Sequence, residues 1–326
     1  MPARSTTDWT VVRRGLVSPA TDWVRRNGGA VILAAGIPSP PVNGFAIGPF
    51  EVHYYALCIL VGVVIASWVT TARLRAVGIN GGTVIDIAIW AVPIALVGGR
   101  LYHVFTHPGD YFFPGANLWN VIAIWEGGLA IYGSILAGVL GVWIGCRRTN
   151  TPFVALVDAL APGMLFAQAF GRLGNYFNQE LFGDRTTLPW GLQIHTSSPA
   201  FPAGLPADTL FQPLFLYELL WDAAGGALIL LLGKRLRLPR GVPIGLYFLW
   251  YGAGRAYLET QRLDPTELVL AGMKFNTIAA ITSALVGLVI VLLAVRRSRR
   301  LNDGSGLLID AAGKSAKPQP ADHSLR

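Results

Sequence analysis

Apolar residues in this chain come in long, nearly uninterrupted runs, not in the alternating or half-face patterns of soluble strands and helices. Runs near the length needed to cross a bilayer, about 20 residues, fall at roughly 52–71, 84–105, 119–146, 153–170, 211–233, 241–258 and 275–295. The pattern predicts an all-α fold: a polytopic integral membrane protein of about seven transmembrane helices within residues 42–300. The third run is long and carries a glycine-rich break from Glu126 to Gly133, so its helix is either kinked or enters the membrane late. Segment 171–210 is polar and rich in Gly and Pro, and is expected to form a small cap outside the membrane. Residues 1–41 read as a partly disordered arm; the apolar stretch Ala30–Ile37 is too short for the core of a secretory signal. Residues 301–326 read as a disordered tail.

Charge sets the orientation. One set of alternate loops holds Arg73 and Arg75, then Arg147 and Arg148, then Lys234, Arg235, Arg237 and Arg240, then Arg296, Arg297, Arg299 and Arg300. The other set holds only Arg172 and Arg185 across 171–210, and Arg262 with Lys274 near 259–274. Excess Lys and Arg mark cytoplasmic loops, so the first set is cytoplasmic, the cap is extracytoplasmic, and seven spans place the N-terminus outside and the C-terminus inside. The arginines of the N-terminal arm argue the other way, but they lie beyond the range in which the rule is strong.

Composition agrees with the patterning. The chain is 53% hydrophobic and 13% charged, where soluble domains are about a quarter charged. Its net charge of +8 lies between apolar runs, as in membrane loops, so nucleic acid is not an expected partner. Cys58 and Cys146 sit within or at the edge of apolar runs and read as buried small hydrophobes. Neither they nor the five histidines show metal-ligand spacing, and no metal or cofactor is expected.

With this orientation, six segments bring polar groups to one depth near the outer face. His53, Tyr54 and Tyr55 open the first span, Arg100 lies near the outer end of the second, and Glu126 and Tyr132 lie in the outer part of the third. Arg172 follows the fourth, Tyr217 and Glu218 lie early in the fifth, and Arg255 and Glu259 close the sixth. Ionisable groups at membrane depth cost about 2.5–3.5 kcal/mol each. Snorkelling to the interface would account for arginines but not for Glu126 and Glu218 as well. The set predicts a polar cavity opening outward, and its arginines suit an anionic ligand because guanidinium presents a planar fork matched to phosphate. In the outer leaflet the abundant anions are phospholipid head groups. Asp86, Asp158 and Asp222 fall in the inner half and read as structural, or as satisfied at the cytoplasmic interface.

The most informative stretch is Gly171-Arg172-Leu173-Gly174-Asn175-Tyr176-Phe177-Asn178-Gln179-Glu180-Leu181-Phe182-Gly183. Read by itself, it is either a ligand-binding turn made close by two glycines or a helix end capped by asparagines. The stretch resembles the signature of the prolipoprotein diacylglyceryl transferases, Gly-Arg-x-Gly-Asn-(Phe/Tyr)-x-Asn-x-Glu. Further blocks match that family in the same order: His53-Tyr54-Tyr55-Ala56, Gly98-Gly99-Arg100, Glu126-Gly127-Gly128-Leu129, Pro213 to Glu218, and Tyr251 to Arg262. The similarity runs from about 42 to 296.

The resemblance implies an enzyme of the bacterial cytoplasmic (inner) membrane. Such enzymes move the diacylglyceryl group of phosphatidylglycerol to the lipobox cysteine thiol in the signal peptide of a preprolipoprotein, forming a thioether and releasing glycerol phosphate. By that likeness Arg172 and Arg255 are the essential arginines, and the role expected of them is to hold the phosphodiester and stabilise charge on the departing phosphate. Tyr55, Asn175, Glu180 and Gly183 would shape the site. Glu218, Glu259 and Arg262 would hold the arginines or relay protons, and Arg100, Glu126 and Asn178 complete the expected substrate-binding set.

One departure bears on mechanism. Many members carry a histidine where this chain has Tyr132, and a thiol reacts as its thiolate. A tyrosine, neutral near pH 7, is a poor base but still orients a ligand. The base is therefore open between Glu259, a water and arginine-assisted ionisation, with leaving-group stabilisation ranked above any of them. The rival readings are a transporter or binding protein for an anionic lipid or other anion, a membrane scaffold, and an intramembrane protease. The transporter lacks an internal repeat and a midplane site, the scaffold leaves the convergent Arg and Glu groups unexplained, and the protease lacks Gly-x-Ser-x-Gly.

Overall fold

A computed structural model of the chain describes residues 36–48, 50–124, 127–263, 269–270 and 272–300. Most of the N-terminal arm, Glu126 and the 301–326 tail lie outside the described residues. Among the described residues seven α-helices dominate: α1 (Tyr54–Arg75), α2 (Thr83–Thr106), α3 (Ile131–Arg148), α4 (Phe153–Asn178), α5 (Leu214–Arg235), α6 (Val242–Glu259) and α7 (Phe275–Arg300). Of these, α1, α2, α4, α5 and α7 are long and apolar enough to cross a membrane; α3 and α6, at 18 residues each, fall outside that set. Large apolar side chains such as Trp68, Ile85, Leu136 and Leu293 point outward. This is the exterior of a polytopic membrane protein, in which lipid replaces water as the solvent of the outer surface.

The helices pair closely where small residues let backbones approach. α1 packs on α4 with Gly62 against Ala167 and Gly163 against Ala66. α2 packs on α3 with Gly141 against Ala91 and Gly145 against Ile87, and α6 on α7 with Gly252 against Ala280 and Ala284. Helix α4 is the hub, touching α1, α5 and α6 and, more lightly, α3. The ends of α1 and α3, with Arg73, Arg75, Arg147 and Arg148 in their last turns, meet around a core of Leu74, Ile87, Cys146, Leu156 and Ala159. There Asp158 of α4 accepts from Gly241 N at 2.7 Å and Ile244 N at 3.2 Å, capping the first turn of α6 across helices. The structural reading of Asp158 thus acquires a definite form.

Two boundaries differ from the hydropathy pattern. The third helix starts only at Ile131, after a short 3-10 turn at Leu118–Val121, so the 119–146 run is not one kinked helix. The fourth continues to Asn178, past the predicted end at 170, and stops where Gln179 adopts a left-handed conformation with φ 53°. Arg172, Asn175 and Asn178 are therefore helical residues and not part of a following loop.

Among the described residues three short antiparallel ribbons qualify the all-α expectation: β1 (Gly44–Ile47) with β2 (Phe50–His53), β3 (Leu192–Gln193) with β4 (Leu210–Phe211), and β5 (Val269–Leu270) with β6 (Met273–Lys274). The second lies in the lobe between α4 and α5. That lobe has its own core of Phe182, Leu192, Ile194 and Phe211 against Phe215, and Ile37 joins it through a parallel bridge to Leu192. Its core packs on Tyr176 of α4 and Phe215 of α5, and Gly183 bridges to Arg262 just after α6.

Candidate active site

At the end of the bundle opposite the basic loops, α4, α5, α6 and α7 meet around a chain of alternating charges. Arg172, in the penultimate turn of α4, donates Nε to Glu218 Oε2 at 2.6 Å. Glu218 lies in the second turn of α5, and its other oxygen accepts from Arg255 Nη1 of α6 at 3.1 Å. Arg255 Nη2 reaches Glu259 Oε2 at 2.6 Å, one helical turn on. The same oxygen accepts from Arg262 Nη1 at 3.1 Å, while Glu259 Oε1 accepts from Asn276 Nδ2 of α7 at 3.2 Å. On the other side, Asn175 Oδ1 accepts from Arg172 Nη1 at 3.3 Å, and Asn175 Nδ2 donates to Glu180 Oε1 at 2.9 Å. Asn178 Nδ2 donates to that oxygen at 3.0 Å.

One buried carboxylate, Glu218, thus sets two guanidinium groups from separate helices side by side. Its side chain is 7% exposed, against 19% for Arg172 and 13% for Arg255. Taking ions out of water costs several kcal/mol apiece, recovered only when each is paired and hydrogen-bonded. Here Arg172, Arg255 and Arg262 are each paired with Glu218 or Glu259, which is how the interior of the bundle tolerates them. The arginines remain the more open members, so the carboxylates hold them from behind and leave them facing the accessible side.

Neighbouring backbone is close. Tyr55 of α1 lies on Gly174, where a methyl would sit 2.5 Å from Tyr55 Cδ2. Gly183 donates N–H to Gln212 O at 3.0 Å and bridges to Arg262, and a methyl there would meet Gln212 Cβ at 2.9 Å and Gln261 O at 3.0 Å. Arg262 O accepts from Lys274 Nζ at 2.9 Å. These contacts tie the segment after α4, the end of α6 and the start of α7 into one wall.

Other predicted residues fall elsewhere. Arg100 is buried and spends its donors on backbone carbonyls: Nε on Val121 O at 2.8 Å, Nη1 on Gly127 O at 2.6 Å and Gly128 O at 3.0 Å, and Nη2 on Asn120 O. Its guanidinium also stacks over Tyr111, whose hydroxyl meets His103 Nδ1 at 3.2 Å. The structure therefore shows Arg100 pinning the loop between α2 and α3, and among the described residues no contact joins it to the Arg172–Arg255 chain. Tyr132 is exposed at the start of α3 and meets the edge of Phe275, the first residue of α7. Glu126 lies outside the described residues.

Two participants lie outside the predicted set. Asn276 offers no spacing signal, since it opens an apolar span. Asp222 falls by hydropathy in the inner half, yet it is buried within electrostatic reach of Arg172, Glu218 and Arg255. A signal for it exists: it follows Glu218 by four residues, which on a helix places both on one face.

Against known proteins, the family model described as prolipoprotein diacylglyceryl transferase matches residues 43–293. A phosphatidylglycerol–prolipoprotein diacylglyceryl transferase from Leifsonia xyli subsp. xyli is 48% identical over 280 residues, covering 83% of this chain and 84% of the relative. One from Paenarthrobacter aurescens is 47% identical over 270 residues, covering 81% and 85%. The phosphatidylglycerol–prolipoprotein diacylglyceryl transferase 2 of Streptomyces coelicolor is 41% identical over 292 residues, covering 89% and 91%.

Proposed function

The chain belongs to the prolipoprotein diacylglyceryl transferase family, and from that premise we propose that it transfers the diacylglyceryl group of phosphatidylglycerol to the lipobox cysteine of preprolipoproteins. A carbon–sulfur bond forms at the glyceryl carbon, the carbon–oxygen bond to phosphate breaks, and glycerol phosphate leaves. The thiol proton ends on the departing phosphate or in solvent, so the step balances without a cofactor.

The observation that carries the residue roles is the shared grip of Glu218 on Arg172 and Arg255. Arg172 and Arg255 hold the phosphodiester and stabilise the charge that grows on it as the carbon–oxygen bond breaks, the strongest help that fixed cations can give such a step. Glu218 and Glu259 aim them, and Arg262 and Asn276 anchor Glu259 in turn. Asn175, Asn178 and Glu180 fix the far side of Arg172. Tyr55 and Gly183 shape the cavity. Arg100 acts at one remove, by holding the loop that carries Gly127 and Gly128. Tyr132 orients a substrate group by hydrogen bonding instead of taking its proton, and the paired arginines favour the thiolate electrostatically.

The membrane arrangement follows from the charges. All seven helices span the bacterial cytoplasmic membrane, α3 and α6 being the short ones. The basic ends face the cytoplasm with the C-terminus, and the lobe over the charge cluster caps the outer face with the N-terminus. This puts the arginines at outer-leaflet head groups.

The test is incubation of purified protein with phosphatidylglycerol and a lipobox peptide, followed by mass measurement of the peptide. A mass gain of one diacylglyceryl group on cysteine is expected. Loss of that gain in Arg172→Ala and Arg255→Ala, with insertion intact, is the expected control; normal transfer by either variant would remove the phosphate role.

A further inference from the structure

One turn deeper than the arginines lies a second polar layer that the reaction above does not use. Gln168 precedes Arg172 by four residues on α4, Asp222 follows Glu218 by four on α5, and Tyr251 precedes Arg255 by four on α6. The same helix faces therefore carry both layers. Gln168 Nε2 donates to Tyr247 OH at 3.0 Å, while Gln168 Oε1 is buried without a hydrogen-bond partner among the described residues. Asp222 is 3% exposed. The charged and titratable groups that face it are Arg172 from α4, Glu218 from its own helix, and Arg255, Tyr247 and Tyr251 from α6. Among the described residues neither Asp222 oxygen enters a hydrogen bond or ion pair, while Glu218 and Glu259 take the arginine contacts.

Charge counting gives this carboxyl a role. Among the described residues the hydrogen-bonded cluster above contains Arg172, Arg255, Arg262 and Lys274 against Glu180, Glu218 and Glu259, and so carries one positive charge. An ionised Asp222 cancels that charge, and an anionic phosphodiester arriving beside it would then leave one negative charge in excess. Two like charges in a shared, poorly solvated site cannot both be held cheaply, and the one able to take a proton does so. A protonated Asp222 also brings an O–H donor into a layer whose Gln168 carbonyl lacks one.

We propose that Asp222 is a positioning residue that takes up one proton when the lipid phosphodiester binds and returns it when glycerol phosphate leaves. The inference rests on the reading of Arg172 and Arg255 as a phosphate clamp. Asp222 makes no bond to carbon or phosphorus; it acts through the arginines by setting how much net positive charge they offer. The sign follows from linkage. The group is a carboxylate in the free site and an acid in the occupied one, so affinity for lipid is greatest at low pH. It falls, by up to about tenfold per pH unit, between the free and occupied titration points and levels off above both.

The experiment measures KM for phosphatidylglycerol in mixed micelles across a pH series, for full-length wild type and Asp222→Asn, with kcat read separately. Wild type is expected to show KM rising with pH. Asp222→Asn, a fixed neutral mimic, is expected to hold KM near the wild-type low-pH value throughout. Equal pH profiles in the two proteins, or a raised KM at every pH in the variant, would overturn the proposal. A second measurement needs no variant: infrared difference spectra of wild type with and without phosphatidylglycerol should gain a carboxylic-acid carbonyl band, and a spectrum without it would also overturn the proposal. If wild type forms no thioether at all, the underlying clamp reading falls and this proposal with it. Transfer with a pH-independent KM sinks only the role of Asp222.

Discussion

Glu218→Gln tests the centre of the site with almost no change in volume. In the wild-type protein each Glu218 oxygen serves a different arginine, at 2.6 Å and 3.1 Å. Glutamine keeps one acceptor oxygen but turns an amide donor toward the other guanidinium, so one charge-assisted contact is lost and one donor faces another. Hydrogen bonds to charged groups contribute about 1.5–3 kcal/mol each. The side chains involved are less than a fifth exposed, which leaves little solvent screening to discount. Arg255 retains Glu259 and Arg172 retains Asn175, so the loss should stay near that range and below the roughly 3–5 kcal/mol of a fully stripped buried ion. If the contact serves to aim the arginines at the phosphodiester, kcat/KM for thioether formation should fall by about 10- to 150-fold, at roughly 1.4 kcal/mol per factor of ten. The assay is mass-resolved transfer from phosphatidylglycerol to a lipobox peptide, with thermal unfolding in detergent as the folding control. A folded variant within about threefold of wild type would refute the view that Glu218 positions the two arginines.

Four other outcomes are expected. Arg172→Lys and Arg255→Lys should each lose at least about a hundredfold in kcat/KM, because an ammonium group lacks the planar fork that serves carboxylate and phosphate together; near-normal rates would show that charge alone suffices. Gly174→Ala gains helix propensity of about 1 kcal/mol but drives a methyl against Tyr55, and overpacking of about 1–3 kcal/mol should leave the thermal midpoint lower; an unchanged or higher midpoint would mean that Tyr55 swings away freely. Tyr132→Phe should reduce transfer only modestly, and complete loss would restore a proton-carrying role to the hydroxyl. Reporters placed in 179–210 and after Arg300 should report opposite sides of the membrane.

Hydropathy locates the helices well because a bilayer imposes one length on them, and it fails where a polar residue is not an exit from the membrane. Arg172, Asn175 and Asn178 read as the loop after a span, yet their spacing of three residues keeps them on one helical face turned to Glu218 and Glu180. The opposite error occurs near residue 120, where Leu118, Trp119 and Ile122 resemble membrane residues but belong to an exposed turn and its flank. The members of the charge chain are legible as polar residues in apolar surroundings, but their partners are not, since pairing depends on which helices are neighbours. Arg100 shows the limit. It satisfies the same depth criterion as Arg172, and only the folded chain reveals its guanidinium occupied by four carbonyl groups of one loop.

That contrast between arginines decides which of them can serve a ligand. A guanidinium carries five N–H donors in a fixed fork. Arg100 directs donors from all three nitrogens to backbone oxygens in a buried setting, so an incoming anion would have to displace structural contacts. Arg172 engages Nε with Glu218 and Nη1 with Asn175, and among the described residues its Nη2 has no protein acceptor. Arg255 engages Nη1 and Nη2 and, among the same residues, leaves Nε without one. Each of these two is therefore oriented by carboxylate yet still has donors to give, and Glu218 brings those donors together from different helices. An anion arriving there gains hydrogen bonds without breaking the bonds that aim the site, which is the condition for a fixed cationic centre to stabilise charge as it develops instead of rearranging to meet it.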